Sequence, residues 1–389
     1  MWQAGASRVG GWLYRLYWAA VLVAAGVVVL FTLFPQVLAG FHTSLFVLQV
    51  LPVPVRPQAW FTSDPVRAEV SYPRPNNGAG VADVYRIPDG QQRAAVLVFL
   101  GANAAGRDDP DVINLGNALA RAGYVVLFHW SPTMGERNNI DIAEVENLVW
   151  AFQYLREREY VDRARVGLAG FSVGGSFAMV AAADPRIRDQ VAFLNSFGAY
   201  YDAEAFFLQI ASRSQFVNGE VLPWEVDPLT RRVFANELIE LVADPVEQDL
   251  LTRRFLEYQE GLEAELDRLS PEAQRVRQLL EGTDVAEARR LYRSLPQEFL
   301  DNMERISPRT HLEGLQARLL ILHDQGDRLI PVGESRRLAE ALRGRENFTY
   351  TETRVFQHVR PGSEGSLWRL AAEGFKLFRH LYTIVRMAY

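Results

Sequence analysis

A serine between two glycines is the first feature of the sequence that could carry chemistry. Residues 170–174 read Gly-Phe-Ser-Val-Gly, with Ser172 at the centre of a G-x-S-x-G pentapeptide. A β-rich run precedes it and a small-residue helical pattern follows, a setting in which a tight strand-to-helix turn exposes a nucleophilic serine. Glycines two residues to either side would avoid clashes in such a turn. An ordinary glycine-rich connection is the alternative, because the bare pentapeptide arises by chance in about one chain in ten of this length.

A serine hydroxyl attacks efficiently only when a base removes its proton and an acid orients that base. In strand–turn–helix sites of this type the chain order is serine, then acid, then histidine. Of the six histidines, only His358 and His380 follow the predicted acid-bearing strand, residues 317–323. His380 lies in an amphipathic helical pattern and is predicted to be structural. His358 lies in a loop after the last predicted strand and is the candidate base, with a solvated loop residue as the alternative.

Two aspartates follow the strand at residues 317–323 and could serve as the orienting acid. Asp327 lies within the loop that leads to Ile330-Pro331 and is the preferred candidate. Asp324 comes directly after the strand and could instead cap the turn, as aspartates often do.

The same reaction requires donors for the negative charge that grows on the carbonyl oxygen. The backbone N–H of Val173, the residue after the nucleophile, is one expected donor. The second is expected from the loop Gly101–Gly106, which follows the predicted strand Ala94–Leu100. Ala102 N–H is the preferred choice there, and Asn103 is the alternative.

The elements that must position these residues alternate between short β-rich runs and helical patterns from about residue 65 onward. Such alternation predicts an α/β fold with a mostly parallel central sheet and helices on both faces. Residues 200–306 interrupt the alternation. They contain no convincing strand, but Asp227-Pro228, Asp244-Pro245 and Ser270-Pro271 each pair a capping residue with a proline, which is typical of helix starts. A helical insertion is therefore predicted.

The N-terminal part is strongly apolar. No charged side chain occurs between Arg15 and Arg56, and Tyr17–Phe34 is almost continuously apolar, which predicts a transmembrane helix rather than a buried core helix. The positive-inside rule places the N-terminus in the cytoplasm and the main domain outside. Val37–Ala39 resembles a cleavage site, so removal of the helix is the alternative. Phe41–Leu51 is expected to be interfacial; if it crossed as well, the main domain would face the cytoplasm.

Composition excludes several classes of function. The net charge of -6 argues against a nucleic-acid partner. The absence of cysteine excludes disulfides, thiolate nucleophiles and Cys-ligated zinc. No H-E-x-x-H, G-x-G-x-x-G or P-loop lysine motif occurs, so neither a metal nor a nucleotide cofactor is expected.

Residues 160–175 (YVDRARVGLAGFSVGG) are similar to dienelactone-hydrolase-like and acyl-peptidase-like members of the α/β-hydrolase superfamily. The resemblance runs from about residue 65 to the C-terminus, without the insertion. It implies the α/β-hydrolase fold, a triad of Ser172, Asp327 and His358, and an insertion that caps the active site. The sequence departs from the pattern at Leu100, where many members have histidine, and at Asp324, where many have glycine. The first departure leaves the second oxyanion donor open.

The expected organisation has five parts. They are a membrane anchor (1–39), an interfacial segment and linker (40–64), a first core part (65–199), a helical cap (200–306) and a second core part (307–389).

The expected activity is hydrolysis of a carboxylic ester through an acyl-enzyme on Ser172. Phe206, Phe207 and Trp224 in the insertion could line an apolar acyl pocket, although packing of the cap against the core also explains them. A small-molecule or lipid-like ester is the expected substrate, because a membrane anchor would place the enzyme near lipid. A peptidase or amidase with the same triad is the alternative, as is a non-catalytic binding protein of the same fold.

Overall fold

The computed structural model describes most of the chain. The described residues are 16–19, 21, 22, 26, 33–51, 56–74, 78–102, 106–217, 219–354, 356, 357, 360, 361 and 367–389, without the side chains of residues 356–371. None of the helices in these ranges is long and apolar enough to span a bilayer. The predicted span Tyr17–Phe34 falls for the most part outside them.

A central sheet of eight strands forms the core of the fold. The strands of the chain are β1 (Val66–Pro73), β2 (Ala79–Arg86), β3 (Arg93–Phe99), β4 (Tyr124–Trp130), β5 (Val161–Phe171), β6 (Phe193–Phe197), β7 (Ser214–Val217), β8 (Glu220–Pro223), β9 (Arg318–Asp324), β10 (Phe348–Thr353), β11 (Phe356–Gln357) and β12 (Arg360–Pro361). The sheet has the order β1-β2-β4-β3-β5-β6-β9-β10. Strand β2 runs antiparallel to the other seven, which are parallel to one another. The predicted mostly parallel sheet is therefore confirmed.

Helices cover both faces of this sheet. The α-helices whose bounds lie in the described residues are α1 (Pro35–Val50), α2 (Gln58–Phe61), α3 (Pro110–Arg121), α4 (Pro132–Glu136), α5 (Ala143–Arg156), α6 (Val173–Ala182), α7 (Ala203–Ser212), α8 (Pro228–Ile239), α9 (Pro245–Phe255), α10 (Glu263–Leu266), α11 (Pro271–Glu281), α12 (Val285–Tyr292), α13 (Gln297–Arg305), α14 (Val332–Ala341) and α15 (Leu367–Val385).

Strand β3 shows how the two faces are filled. Its odd-numbered residues 95–99 belong to the core that includes α5 and α6, and its even-numbered residues 94–98 belong to the core beneath α3 and α15. Both sets are apolar because a parallel strand is covered by helices on both sides.

One face of the segment predicted to be interfacial packs on the core. Helix α1 contains most of Phe41–Leu51, and its Phe46 is buried against Ala118 of α3, Ala122 just after α3, and Val385 of α15. The following segment is also attached, because Gln58 Nε2 donates to the Ala118 carbonyl at 2.8 Å. An apolar run of this length suits a bilayer surface or a protein core equally well, and the α3 and α15 surfaces provide the core.

The stretch predicted to be a helical insertion is mostly helical. Residues 200–306 contain helices α7 to α13, and α8, α9 and α11 begin at the three prolines named above. The preceding side chains cap these helices; for example, Asp227 Oδ1 accepts the Leu229 N–H at 2.8 Å. The hairpin β7–β8 was not predicted. Buried Glu334 on α14 accepts the backbone N–H groups of Tyr201 and Asp202 at 3.0 and 3.1 Å, which fixes the start of the insertion to the core.

The packing of α1 predicts a clear effect on stability. Phe46 is only 3% exposed, so Phe46→Ala is expected to lower the free energy of unfolding by about 3–5 kcal/mol. Chemical denaturation of the full chain in detergent, followed by tryptophan fluorescence, measures the difference. Leu48→Ala is the matched control, because Leu48 lies on the same helix and is 38% exposed. Equal and small effects of the two substitutions would show that α1 is not part of the core.

Candidate active site

Ser172 occupies a strained turn between β5 and α6. Its backbone has φ 55° and ψ −138°, a conformation that non-glycine residues adopt only when their surroundings impose it. Its N–H donates to the Phe197 carbonyl on β6 at 2.8 Å, and its carbonyl accepts the Gly175 N–H at 2.9 Å. Strain of this kind is concentrated at functional sites, where it holds a side chain in a fixed exposed position.

The two glycines of the pentapeptide are required by close packing. A Cβ atom at Gly170 would lie 2.3 Å from the Gly174 carbonyl oxygen, and one at Gly174 would lie 2.5 Å from the carbonyl oxygen of Phe99 on β3. Neither backbone oxygen can move aside without opening the sheet or the helix. The turn therefore excludes any side chain at these positions, as the sequence predicted.

Both candidate oxyanion donors lie beside this turn. Val173 is the first residue of α6, and amides in the first turn of a helix have no intrahelical acceptor. The loop after β3 contacts the turn directly, because a Cβ on Gly101, where φ is +69°, would lie 2.5 Å from Gly174 N. Ala102 is buried and lines the same cavity as Ser172 and Val173. Asn103, the alternative donor, lies outside the described residues.

A buried ion-pair cluster anchors the far end of this loop. Arg107 binds the Asp83 carboxylate on β2 through Nη2 at 2.7 Å and Nε at 3.1 Å. Arg67 Nη2 at 3.0 Å and Trp130 Nε1 at 2.9 Å complete the donors. Burial raises the pKa of Asp83, but the hydrogen bonds from Arg107 and Arg67 outweigh it and hold that pKa below its usual value. The sequence does not reveal this cluster, because its residues are far apart in the chain and no local sequence pattern links them.

The two acid candidates have different surroundings. The Asp327 side chain is fully buried, and its Oδ1 accepts the N–H groups of Leu329 at 2.8 Å and Ile330 at 3.0 Å. Leu329 and Ile330 line the cavity that Ser172 faces, so the Asp327 loop borders the site. Asp324 ends β9, and its Oδ1 accepts the Gly326 N–H at 2.8 Å, as a turn-capping residue would. Both carboxyls are buried and both accept backbone N–H groups of the turn, and Asp327 Oδ2 lies 3.4 Å from His323 Nε2, so the choice of Asp327 as the orienting acid stays a prediction.

The two histidine candidates also differ. His358 lies outside the described residues, between β11 and β12. His380 is buried on α15, where its Nε2 lies 2.8 Å from Asn195 Oδ1 and its Nδ1 lies 3.1 Å from Thr351 Oγ1. Burial lowers the pKa of His380 to about 4, so the ring is neutral at pH 7 and holds α15 to the sheet. These contacts agree with the structural role predicted for His380.

A cavity of about 100 Å³ extends from Ser172 into the helical insertion. Phe206 and Phe207 of α7 line it, as the sequence predicted. Trp224 does not; it is buried behind the cavity wall, with its ring centre 6.4 Å from that of Phe206. The third predicted lining aromatic is therefore a packing residue of the main hydrophobic core.

Glu237 is a cavity-lining residue that the sequence analysis did not identify. It lies on α8, and its Oε1 accepts the Ile140 N–H. Burial, with the nearby Glu240 and Asp141 carboxylates, raises the pKa of Glu237 to about 7. Nothing in the sequence distinguishes this glutamate from the other polar residues of an amphipathic helix. Within the described ranges, no group of three or more His, Cys, Asp or Glu side chains is placed to hold a metal ion.

Comparisons with known proteins give structural likeness only. The chain matches no protein-family model and no curated protein sequence. Among solved structures, it is similar to a Mycobacterium tuberculosis puromycin-hydrolyzing peptidase (17% identity, TM-score 0.45, 82% of this chain and 38% of that one). It is also similar to Porphyromonas gingivalis dipeptidyl peptidase 4 (13%, 0.47, 82% and 36%) and to a hyperthermophilic esterase from Pyrobaculum calidifontis (16%, 0.45, 90% and 92%).

The chain covers very different shares of these solved structures. The chain spans less than half of the length of the two peptidases but most of the esterase. At these identities and TM-scores the likeness carries no argument about activity. The turn at Ser172, the loops beside it and the cavity are the features of this chain that indicate a catalytic site.

The steric requirement at the turn generates a test. Gly170→Ala is expected to lower the free energy of unfolding by more than about 2 kcal/mol, because the added methyl would overlap backbone atoms of α6. Thermal and denaturant unfolding of the full chain measure it. Gly374→Ala on α15 is the control, since a Cβ there meets nothing within 4 Å and is expected to be neutral or stabilising by up to about 1 kcal/mol. A Gly170→Ala protein as stable as the control would contradict the turn geometry.

Proposed function

We propose that this chain is a serine hydrolase that cleaves carboxylic esters through an acyl-enzyme on Ser172. The observation that carries the proposal is the strained backbone of Ser172, at a strand-to-helix turn that opens onto an apolar cavity. A positive φ at a serine is costly, and it has a chemical use when the hydroxyl must project toward a substrate. The sheet order and the position of the Asp327 loop beside the cavity support the same reading.

The proposed mechanism assigns one role to each residue. The substrate carbonyl lies over Ser172, with its oxygen directed at the N–H groups of Val173 and Ala102, where the developing negative charge is stabilised. His358 accepts the proton as the Ser172 oxygen attacks and returns it to the leaving alcohol. Asp327 orients the imidazole and stabilises its charged form. Water then repeats the sequence on the acyl-enzyme, which releases the acid and restores the serine.

The cavity supports an ester with an apolar acyl part. The walls from α7 contribute Phe206, Phe207 and Ile210, and Met303 of α13 contributes on another side. A water-sized site needs about 10–15 Å³, so a cavity of about 100 Å³ accommodates a chain of several non-hydrogen atoms. Hydrolysis of amides is the second candidate, because the same groups could serve it. Faster turnover of an amide than of the ester with the same acyl part would favour that candidate.

A direct test is active-site labelling of the full chain with a fluorophosphonate probe. The full chain is used because α1 packs on the core. We expect the wild type to be labelled, and Ser172→Ala and His358→Ala to remain unlabelled, since the first lacks the nucleophile and the second lacks the base. Asp327→Asn is expected to slow ester turnover by roughly three to four orders of magnitude, the usual effect of losing the orienting carboxylate.

Asp324→Asn is the matched control, because it removes a carboxylate from the same loop and leaves Asp327 in place. It is expected to retain most of the turnover. A folded wild type that reacts with no probe and hydrolyses no ester would overturn the enzymatic proposal in favour of a binding role. An Asp324→Asn protein as slow as Asp327→Asn would overturn the assignment of the acid.

We also propose that residues 1–39 anchor the enzyme in a membrane, with the N-terminus cytoplasmic and the catalytic domain extracytoplasmic. The support is the uncharged, apolar sequence from Tyr17 to Phe34 and the arginines that precede it. The full chain is expected to remain in the membrane pellet after alkaline carbonate extraction. Leu22→Arg/Val28→Arg is expected to release it, because each charge at a helix centre costs about 2.5–3.5 kcal/mol. A wild-type chain recovered in the supernatant would contradict the anchor.

A further inference from the structure

Among the lining residues of the described ranges, the cavity beside Ser172 contains one carboxyl side chain, that of Glu237. The other polar atoms of the wall are already bonded within the protein. Thr230 Oγ1 donates to the Leu329 carbonyl at 3.0 Å, and the Tyr200 hydroxyl donates to the Ile306 carbonyl at 3.1 Å. Apart from the nucleophile, Glu237 is therefore the group available to give a polar contact to a bound acyl chain.

One of the two oxygens of the Glu237 carboxyl is hydrogen-bonded within the protein. Its Oε1 accepts the N–H of Ile140, and none of the described residues donates a hydrogen bond to Oε2. The charged groups that act on it are Glu240, one turn further along α8, and Asp141 ahead of α5, and both are acidic. Helix α8 also carries Arg231 and Arg232, but neither lines the cavity or acts on Glu237, so among the described residues the carboxyl has no countercharge in the cavity wall.

Attachment of the loop at residues 137–140 to α8 does not require an ionisable side chain at Glu237. Asn236 Nδ2 donates to the Arg137 carbonyl at 2.9 Å, and Asn139 donates to Glu240, so that loop has other attachments to α8. The bond from Ile140 needs only an acceptor oxygen, which a neutral glutamine amide would also provide. A carboxylate in an apolar cavity is costly unless a cation or several donors compensate it.

We propose that Glu237 selects acyl groups that carry a protonated amine at the end remote from the ester. The proposal rests on the proposed function, since it requires the acyl part to enter the cavity from Ser172. The aliphatic or aromatic stem packs against Phe206 and Phe207, and the ammonium donates to Glu237 Oε2. A charge-assisted hydrogen bond of this kind is about twice as strong as a neutral one and supplies the missing countercharge.

The selection depends on pH in a defined direction. Burial and the two acidic neighbours raise the pKa of Glu237 to about 7, so the carboxyl is mostly neutral below pH 7 and mostly ionised above it. An uncharged alkyl chain is expected to bind better beside the neutral carboxyl. An ammonium-bearing chain is expected to bind better beside the carboxylate, and the ratio of the two specificities therefore rises as the pH passes through about 7.

The test compares two esters of equal length, p-nitrophenyl 6-aminohexanoate and p-nitrophenyl heptanoate, in which an ammonium replaces a methyl group. For the wild type we expect the higher kcat/KM with the aminohexanoate at pH 8. Glu237→Gln keeps the acceptor for Ile140 and removes the charge. It is expected to lower kcat/KM for the aminohexanoate by about 10- to 100-fold, the range for a hydrogen bond to a charged group, and to raise kcat/KM for the heptanoate, because an uncharged chain then lies beside a neutral amide.

Two further variants separate recognition from structure. Glu240→Gln is the matched control: it neutralises a carboxylate on the same helix that does not line the cavity, and it should preserve the preference. Glu237→Asp keeps the charge and should retain part of the preference. Equal losses for both esters in Glu237→Gln, or a wild type that prefers the heptanoate at every pH, would overturn the inference. Fluorophosphonate labelling is measured first, so that an unlabelled wild type counts against the proposed function and a labelled one without preference counts against Glu237 alone.

Discussion

The close approach of three backbone segments around Ser172 is the constraint on which the site depends. The end of β5, the start of α6 and the loop after β3 meet with no space for a side chain at Gly170, Gly174 or Gly101. This contact forces the positive φ of Ser172 and brings Val173 and Ala102 to one side of it. The nucleophile and both candidate oxyanion donors are thus positioned by one packing arrangement, which the parallel register of β3 and β5 maintains.

Around this rigid centre, polar contacts attach the elements that complete the site. Asp83 and Arg107 hold the far side of the loop after β3. Glu334 holds the entry to the insertion through two backbone N–H groups and also accepts from Gln209 Nε2 at 2.6 Å. Both carboxylates are buried, and removing one partner from such a group leaves an uncompensated charge. The insertion is consequently built as a fixed wall at its base, with aromatic packing of Phe207 against Phe234 and Tyr292 above it.

The parts that sequence reasoning predicted well depend on local signals. The turn at Ser172 follows from glycine spacing, and the helix starts at Pro228, Pro245 and Pro271 follow from proline and its capping neighbour. The strands predicted at Ala94–Leu100 and at residues 317–323 lie within one residue of β3 and β9, because fully buried parallel strands are continuous apolar runs. Asp327 was preferred to Asp324 from its place in the loop; both carboxyls are buried, and the preference stays a prediction.

The parts that sequence reasoning missed depend on long-range packing. The apolar run in α1 carries no information on whether a bilayer or α15 will cover it. Phe206 and Trp224 look alike as aromatic residues of an insertion, and only the folded insertion turns one toward the cavity and the other away. Glu237 has the pattern of a solvent-facing helix residue. The short strands β7 and β8, four residues each, fall below the length at which alternation is visible.

The attachment of α1 to the core has a mechanical consequence. Helix α1 begins at Pro35, the residue after the apolar stretch that ends at Phe34, and its buried face is fixed to α3 and α15. No linker residue separates the two, so the catalytic domain of an anchored enzyme would have no flexible connection on which to move away from the bilayer. Its catalytic domain would stay close to the membrane surface, and lengthening the chain at Pro35 would let the domain move further away without altering the chemistry.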